Sequence, residues 1–567
     1  MWNVSRGSIA LLVAVASGVS FSATAQEPRG LVINEDNSHF FGSRTADDMT
    51  IEGLHAFVDQ YAGTKVSHLF LNPNAMRASY RSAVRDAIWD QGSQNAPEPG
   101  FGGPWAANAK LLDERGLDPY AVWIARSREK GISPWLSMRM NDVHDVDNLK
   151  NFMHSTFWVE HPEYWRVPGG AGWTDRALDY AVPEVREHNM AFIRELLERY
   201  DPDGLELDWM RFGYHFAPGK EAEGCTLLTQ FMRDVRALTR EWSEKRGHAI
   251  QLGARVPAHP DAASGLGMDG VAWAKEGLID MLVPTPFWLS SDFDIPVELW
   301  RERMGDAAGR VIIAPGLEFN VRSHPGGGAV ANTLESCRGF AAAAWHRGAN
   351  QIYLFNFMDS GTIPVSTSDY RILLEQGLGP EVSARLPRRH IQTFHDTVPA
   401  NMPTGAKLPV NGHAGGTFPL YTGPAPTSGT ATFIAGLAPQ DGVEAAVFHA
   451  TVNGQPCDAL EDRPEPGQYP GVVRALMHES LHCPICYTTG AAGDNHPKSP
   501  EAGYAEMQRA GQALATEAVK RLYDARKANE PLRIRCLTRT IPLRQRTYEE
   551  FTQIHGAGEA SIRYNFC

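Results

Sequence analysis

No tryptophan follows Trp345 in a chain of 567 residues, although 14 precede or occupy that position. No cysteine precedes Cys225, and five of the seven (Cys457, Cys483, Cys486, Cys536, Cys567) fall late in the chain. The first part is therefore not built on a disulfide framework, and an odd count leaves at least one thiol unpaired within a monomer. A basic surplus is also missing: 53 Lys and Arg face 66 Asp and Glu, for a net charge of -13. That excludes a nucleic-acid binder, which needs cations gathered on one face. Apart from Ile9–Val19 the chain has no long apolar run, and even this one is shorter than the ~20 residues that cross a bilayer. A glycine fingerprint for a dinucleotide is absent after the early apolar runs; Gly326-Gly327-Gly328 comes too late for a doubly wound sheet. What is present is ordinary globular composition, 43% hydrophobic and 21% charged, at a length that implies more than one domain.

Arg6, the run Ile9–Val19 and Ala23-Thr24-Ala25 make a leader with a small-residue cleavage signal, so residues 1–25 are expected to be a signal peptide. The expected place is then secreted or periplasmic, with no stable membrane insertion after cleavage. From about residue 30, short β-branched runs alternate with amphipathic ones. Strands are expected at 31–34, 66–71, 132–138, 204–208, 250–256, 279–283, 311–314 and 351–356. Helices are expected at 51–61, 119–130, 183–200, 221–246, 270–277, 296–308, 335–348 and 370–376. Pro119, Pro183 and Pro296 supply start signals, and Gly131, Gly247, Gly277 and Gly309 stop signals. Eight alternating units predict an α/β fold, a (β/α)8 TIM barrel over residues 26–385.

A barrel of this kind does its chemistry at the C-terminal strand ends. In Gly204-Leu205-Glu206-Leu207-Asp208-Trp209-Met210-Arg211, side-chain alternation puts Glu206 and Asp208 on one face and the leucines on the other. The leucines suit the helix layer, which sends both carboxylates inside. By the same parity Arg139 and Arg255 flank them, and are expected to hold both acids ionised. Asp208 reads as the catalytic carboxylate and Glu206 as a buried scaffold acid. Glu318, past the seventh strand, leads as partner acid, followed by Asp142 and Asp359. Paired carboxylates of this kind cleave glycosidic bonds, one protonating the leaving oxygen while the other attacks or activates water.

The same octapeptide resembles the fourth-strand motif of glycoside-hydrolase-like TIM barrels. It is especially similar to that of secreted bacterial glycosyl-hydrolase-like 10 proteins, with their signature DG(I/L)ELD(F/W)MR. The resemblance spans about residues 30–390 and implies that Asp208 is the nucleophile, without naming a sugar. Around it, Glu35, Asn72, Asn74, Arg211 and Asn356 lie at strand ends. Trp105, Trp158, Trp173, Trp209 and Trp288 lie in or near the loops, and all ten are expected to contact substrate. Flat aromatic faces suit stacked sugar rings. The expected partner is a carbohydrate, neutral or basic in view of the charge, and no cofactor is expected.

Residues 386–468 turn to Pro, Gly and Thr with short β runs and an Asn453-Gly454 hairpin signal, which predicts a β-rich, sandwich-like accessory segment. Over 469–567 a small α/β tail is expected. There, Thr489–Pro497, a helix over about 500–527 and Thr540–Arg544 resemble a fragment of the neutral ceramidase family. The region that carries zinc-binding histidines in that family is replaced here, so its metal site does not carry over. His478-Glu479-Ser480-Leu481-His482 matches H-E-x-x-H, and Cys483 and Cys486 form a C-x-x-C, but Pro484 would end a helix at once. Two other functions stay open at this point: a zinc-dependent amidase or protease on those residues, and a glycan-binding barrel that does not cleave.

Overall fold

Nine parallel strands make one sheet: β1 (Leu31–Glu35), β2 (Val66–Leu71), β3 (Ser133–Arg139), β4 (Gly204–Asp208), β5 (Gln251–Pro257), β6 (Met281–Thr285), β7 (Ile312–Ile313), β8 (Gly316–Glu318) and β9 (Ile352–Phe355). Their order is β7-β6-β5-β4-β3-β2-β1-β9-β8. The two end strands are halves of one run, separated only by Ala314 and Pro315, so the sheet returns on itself as a TIM-like barrel. Proline brings no N–H to a ladder, which accounts for a break there. This computed structural model describes residues 8–15, 30–90, 102–287, 289–359, 367–411, 415–424, 431–433 and 447–457.

Alternation divides every strand into an outer and an inner face. Leu205 and Leu207 pack outward with the helix layer, in the large cluster that includes Phe192, Phe231 and Trp273. The inward residues Val32, Phe70, Trp135, Met281, Val283, Ile312, Tyr353 and Phe355 form a separate interior cluster. Trp135 fills the bottom, stacked on Phe70 at 4.7 Å. It fits because β4 carries glycine there: a Cβ on Gly204 would stand 2.3 Å from the indole. Toward the C-terminal ends the inward positions turn polar, as Asn34, Ser137, Arg139, Glu206, Asp208, Arg255, Thr285 and Glu318.

Helices follow the expected signals. Pro119–Glu129 and Pro183–Arg199 begin on proline, Asp118 caps the first by accepting from Tyr120 N and Ala121 N, and Glu221–Arg246 ends at Gly247 with φ 78°. Among the described residues five α-helices were not anticipated: the short His39–Ser43, Thr156–Glu160, Pro260–Gly265 and Pro380–Arg385, and the longer Gly103–Glu114 inside the connection after β2. In the longer one a glycine, proline and alanine start hides the pattern. The accessory segment contributes Gly416–Leu420, Val447–Val452 and Gln455–Pro456 to a four-stranded sheet. The hairpin turns at Asn453 and Gly454, both with positive φ, as the sequence signal requires. Among the described residues this is a single sheet rather than a sandwich. Its remaining strand is Ser8–Val15, the apolar run that reads as a leader, paired in parallel with strands on both sides. The chain divides into two units, Met1–Asp462 and Arg463–Cys567. His478, His482, Cys483, Cys486 and the ceramidase-like stretch lie outside the described residues.

Candidate active site

Register sets Arg139, Asp208 and Arg255 abreast on β3, β4 and β5, with Ser137, Glu206 and Gly253 one level below. The parity argument from sequence thus places all four charged groups on the barrel interior. Asp208 is 1% exposed. It receives Arg255 Nη1 on its two oxygens at 3.1 and 3.0 Å, and the Met210 N–H on Oδ1 at 3.0 Å. Arg255 also donates from Nε to Thr285 and lies over the Phe355 ring at 3.8 Å.

Glu206 sits deeper. Its Oε2 accepts from Ser137 Oγ at 2.5 Å and Tyr353 OH at 3.0 Å, and Asn34 donates to both hydroxyls, while Oε1 has no partner. Burial, reinforced by the Asp208 charge, raises this carboxyl above its ordinary range despite Ser137, Arg255 and Tyr353. The expectation that the two arginines hold both acids ionised is therefore corrected for Glu206: Arg255 pairs with Asp208, and Arg139 pairs elsewhere. Stability follows from this shift. An unfolded glutamate gives up its proton near pH ~4.3, the folded one only at higher pH, so the native state binds more protons between the two and loses stability as pH rises. Glu206→Gln removes the effect. Its melting temperature relative to the wild type should move in the variant's favour from pH 5 to pH 8; a constant difference across that range would refute the assignment.

Glu318, at the end of β8, is 1% exposed; Asn356 Nδ2 lies 3.2 and 3.0 Å from its two oxygens, and the Asn320 backbone also hydrogen-bonds to it. Asn356 adopts φ 62°, a left-handed conformation that asparagine tolerates better than most residues. Burial pushes the Glu318 carboxyl up to about 7, against the Asn356 hydrogen bonds and the Arg211 and Arg255 charges. Arg255 and Arg211 both also interact with Asp208. The two acids thus share the same pair of cations from different sides of the barrel.

The other acids are committed. Asp36 binds Arg139 and accepts from Ser38 N and Oγ at 2.8 and 2.6 Å. Burial pushes Asp36 up, but Arg139, Arg211 and Ser38 outweigh it and hold the carboxyl well below the usual range. Asp142 accepts from His144 N and faces its Nδ1 at 2.8 Å, with Arg139 at 3.4 Å. Asp359 pairs with Arg44 at 2.5 Å and His39 at 2.9 Å. Glu35 meets the other side of His39 at 2.6 Å and takes the Tyr61 hydroxyl. Burial opposes the His39 charge, yet Glu35 and Asp359 raise its pKa to about 9. Glu35 is thus spent on the protein itself, and is withdrawn from the expected substrate contacts. Asn74, fully buried, donates to Ala75 O and Arg139 O and shapes the loop instead. Asn72 is 3% exposed, with Oδ1 unpartnered.

The tryptophans need the largest correction. Trp158 and Trp209 are 0% exposed and Trp105 8%. Trp209 comes one residue past the end of β4, still in step with its alternation, and packs outward against Tyr180, Phe231 and Trp273. Trp158 stacks on Trp165 in a small core where the long loop after β3, through Val143 and Val146, meets Met76 from the connection after β2 and Phe212 from that after β4. Trp105 donates to Ser79 Oγ at 3.1 Å. A loop of about 40 residues cannot hold its shape without buried apolar side chains, and these indoles provide them. Trp173 remains available, 46% exposed. It lies 6.1 Å from Phe287 and 5.6 Å from Phe212, an aromatic shelf beside Arg211. Trp288 lies outside the described residues.

Sequence reasoning missed Ser137, Tyr353, Asp36, Phe212 and Phe287. Ser137 and Tyr353 carry the parity signal already applied to Glu206, and Phe212 adjoins Arg211 in the quoted motif region. Among the described residues no cluster of three or more His, Cys, Asp or Glu could hold a metal ion, and no helix is long and apolar enough to cross a membrane.

No family model matches the chain. Among curated proteins it is similar to glycosyl hydrolase DigH of Escherichia coli K12, 19% identical over 247 residues that cover 35% of this chain and 54% of the relative. The chain thus spans about half the length of the curated relatives it matches. Among solved structures it is similar to alpha-L-fucosidase isoenzyme 2 from Paenibacillus thiaminolyticus, with TM-score 0.41, 13% identity, and coverage of 63% of this chain and 49% of that one. An alpha-galactosidase from Thermus thermophilus aligns with TM-score 0.33 and 18% identity, over 64% of this chain and 63% of the other.

Proposed function

We propose that this chain is an exported glycoside hydrolase in which Asp208 acts as nucleophile or base and Glu318 as the acid. One observation carries the reading: two buried carboxyls at barrel strand ends have opposite surroundings. Asp208 is ion-paired to Arg255 at 3.0 Å, whereas Glu318 has no ion pair, is bound by the Asn356 amide and the Asn320 backbone, and is pushed up to about 7 by burial. Environments that separate two acids in this way are how one site supplies a charged carboxylate and a proton donor at the same pH. Trp173, with Phe287 and Phe212, offers a face on which a sugar ring can stack. The weak likeness to a glycosyl hydrolase agrees with this reading.

The test is release of reducing ends from a polysaccharide panel by the full chain and by Asp208→Asn. The variant should lose activity by roughly 10³-fold or more while its melting temperature stays within a few degrees. Full activity in a folded Asp208→Asn variant would remove the proposal. A barrel that binds glycan without cutting it is the second reading, favoured by the near-complete burial of both acids. It predicts oligosaccharide binding by the wild type with no new reducing ends.

A further inference from the structure

Three arginines stand at the mouth of the barrel, and two are matched by carboxylates: Arg139 by Asp36 and Asp142, and Arg255 by Asp208. Arg211 has no such partner. It is 6% exposed, its Nη2 lies 3.4 Å from His144 Nε2, and its Nε and Nη1 have no acceptor at all. Its guanidinium lies 5.7 Å from the Phe212 ring and 5.4 Å from that of Phe355. Aromatic faces attract the cation but leave its in-plane N–H bonds unspent.

The neighbours of Arg211 fix its position. Phe355 ends β9, His144 belongs to the loop after β3, and the guanidinium charge acts on Asp36 after β1, Asp208 on β4 and Glu318 on β8. Its charge thus reaches both proposed catalytic acids at the C-terminal end of the barrel. A buried cation with idle donors is expensive to maintain, because desolvation is repaid only when an anion takes up those bonds. The hydrogen-bonding capacity left unused at this end of the barrel thus includes one full positive charge.

We propose that Arg211 is a specificity-determining residue that binds a carboxylate carried by the sugar unit at the cleavage point, so that the substrate is an acidic glycan. This rests on the proposed glycosidase function and extends it to a substrate class. A planar guanidinium matches a carboxylate through paired N–H bonds, and such charge-assisted bonds exceed neutral ones. The chain's net charge of -13, which by itself suggests a neutral or basic glycan, is spread over a solvated surface where charges beyond about 8–10 Å are screened. A desolvated cation at the reaction centre outweighs it.

The experiment measures binding to the full chain carrying Asp208→Asn, so that turnover does not enter. Oligosaccharides of galacturonate, alginate and hyaluronan are each titrated beside the carboxyl-reduced counterpart of the same length. At least one acidic member should bind roughly 10- to 100-fold tighter than its reduced form. Adding Arg211→Gln should bring that ratio near one, and Arg211→Lys should keep an intermediate ratio. Equal binding of every acidic and reduced pair, or a ratio that survives Arg211→Gln in a folded protein, overturns the inference. The reducing-end assay on the wild type separately decides the glycosidase reading: cleavage of neutral and acidic glycans at equal rates would leave that reading standing and overturn the role of Arg211.

Discussion

Glu318→Gln should slow cleavage of a natural glycosidic bond by roughly 10²- to 10⁴-fold, the usual contribution of a general acid. A glutamine can still accept from Asn356 Nδ2, so the loss reflects the missing proton and not a collapsed loop. The variant should therefore be rescued by the leaving group. On an activated aryl glycoside, whose phenolate departs without protonation, the deficit should shrink by at least tenfold. The pH profile gives an independent reading. An acid works only while it holds its proton, and burial raises the Glu318 carboxyl to about 7, so wild-type kcat/KM should fall as pH rises through that region. The Glu318→Gln profile should lack this alkaline limb. A variant with the full rate on the natural bond, or one that keeps the limb, would exclude Glu318 as the acid and send the search to the other acids of the barrel mouth.

Strand periodicity alone makes the barrel legible in the sequence. All eight expected strands lie within two residues of those observed, because each is a short apolar run between clear helix signals. What was not anticipated is β8, where the run resumes after Pro315 and carries Glu318 at the end of a strand rather than in a loop. Inside the barrel, alternation alone placed Arg139, Glu206, Asp208 and Arg255. It could not assign partners. Arg139 lies level with Asp208 on the next strand, yet its guanidinium turns to Asp36 and Asp142, two residues in loops that no period governs. The tryptophans mark the same boundary. Trp209 was open to the parity rule and should have been turned outward by it. Trp105 and Trp158 were not, since whether a loop indole is a platform or a local core depends on how some 40 residues fold over themselves. Trp173, beside glycines and a turn of 3-10 helix, has too few neighbours to be covered.

Arg255→Met should destabilise the folded chain by about 3–5 kcal/mol, the range for removing one partner of a buried ion pair. Both Arg255 and Asp208 are 1% exposed, and without the guanidinium the Asp208 carboxylate would keep no ion pair and one hydrogen bond, the Met210 N–H on Oδ1. Methionine preserves much of the stem and a soft contact with Phe355, where Arg255 now lies 3.8 Å from the ring, so most of the loss is electrostatic. That origin is testable with a second change. Asp208→Asn in the Arg255→Met background removes the stranded charge, so the double variant should recover about 1–2 kcal/mol or more in denaturant unfolding. The same Asp208→Asn change in the wild-type background should be neutral or destabilising, since it leaves Arg255 buried without its anion. A change that stabilises one background and not the other isolates the pair itself. If Asp208→Asn shifts both backgrounds equally, Arg255 does not compensate the Asp208 charge, and the opposed surroundings of Asp208 and Glu318 lose their basis. If the cycle closes as expected, a group proposed for catalysis is also one that the fold must neutralise to be stable, which explains why the cation stands on the neighbouring strand at the same level and not on a loop.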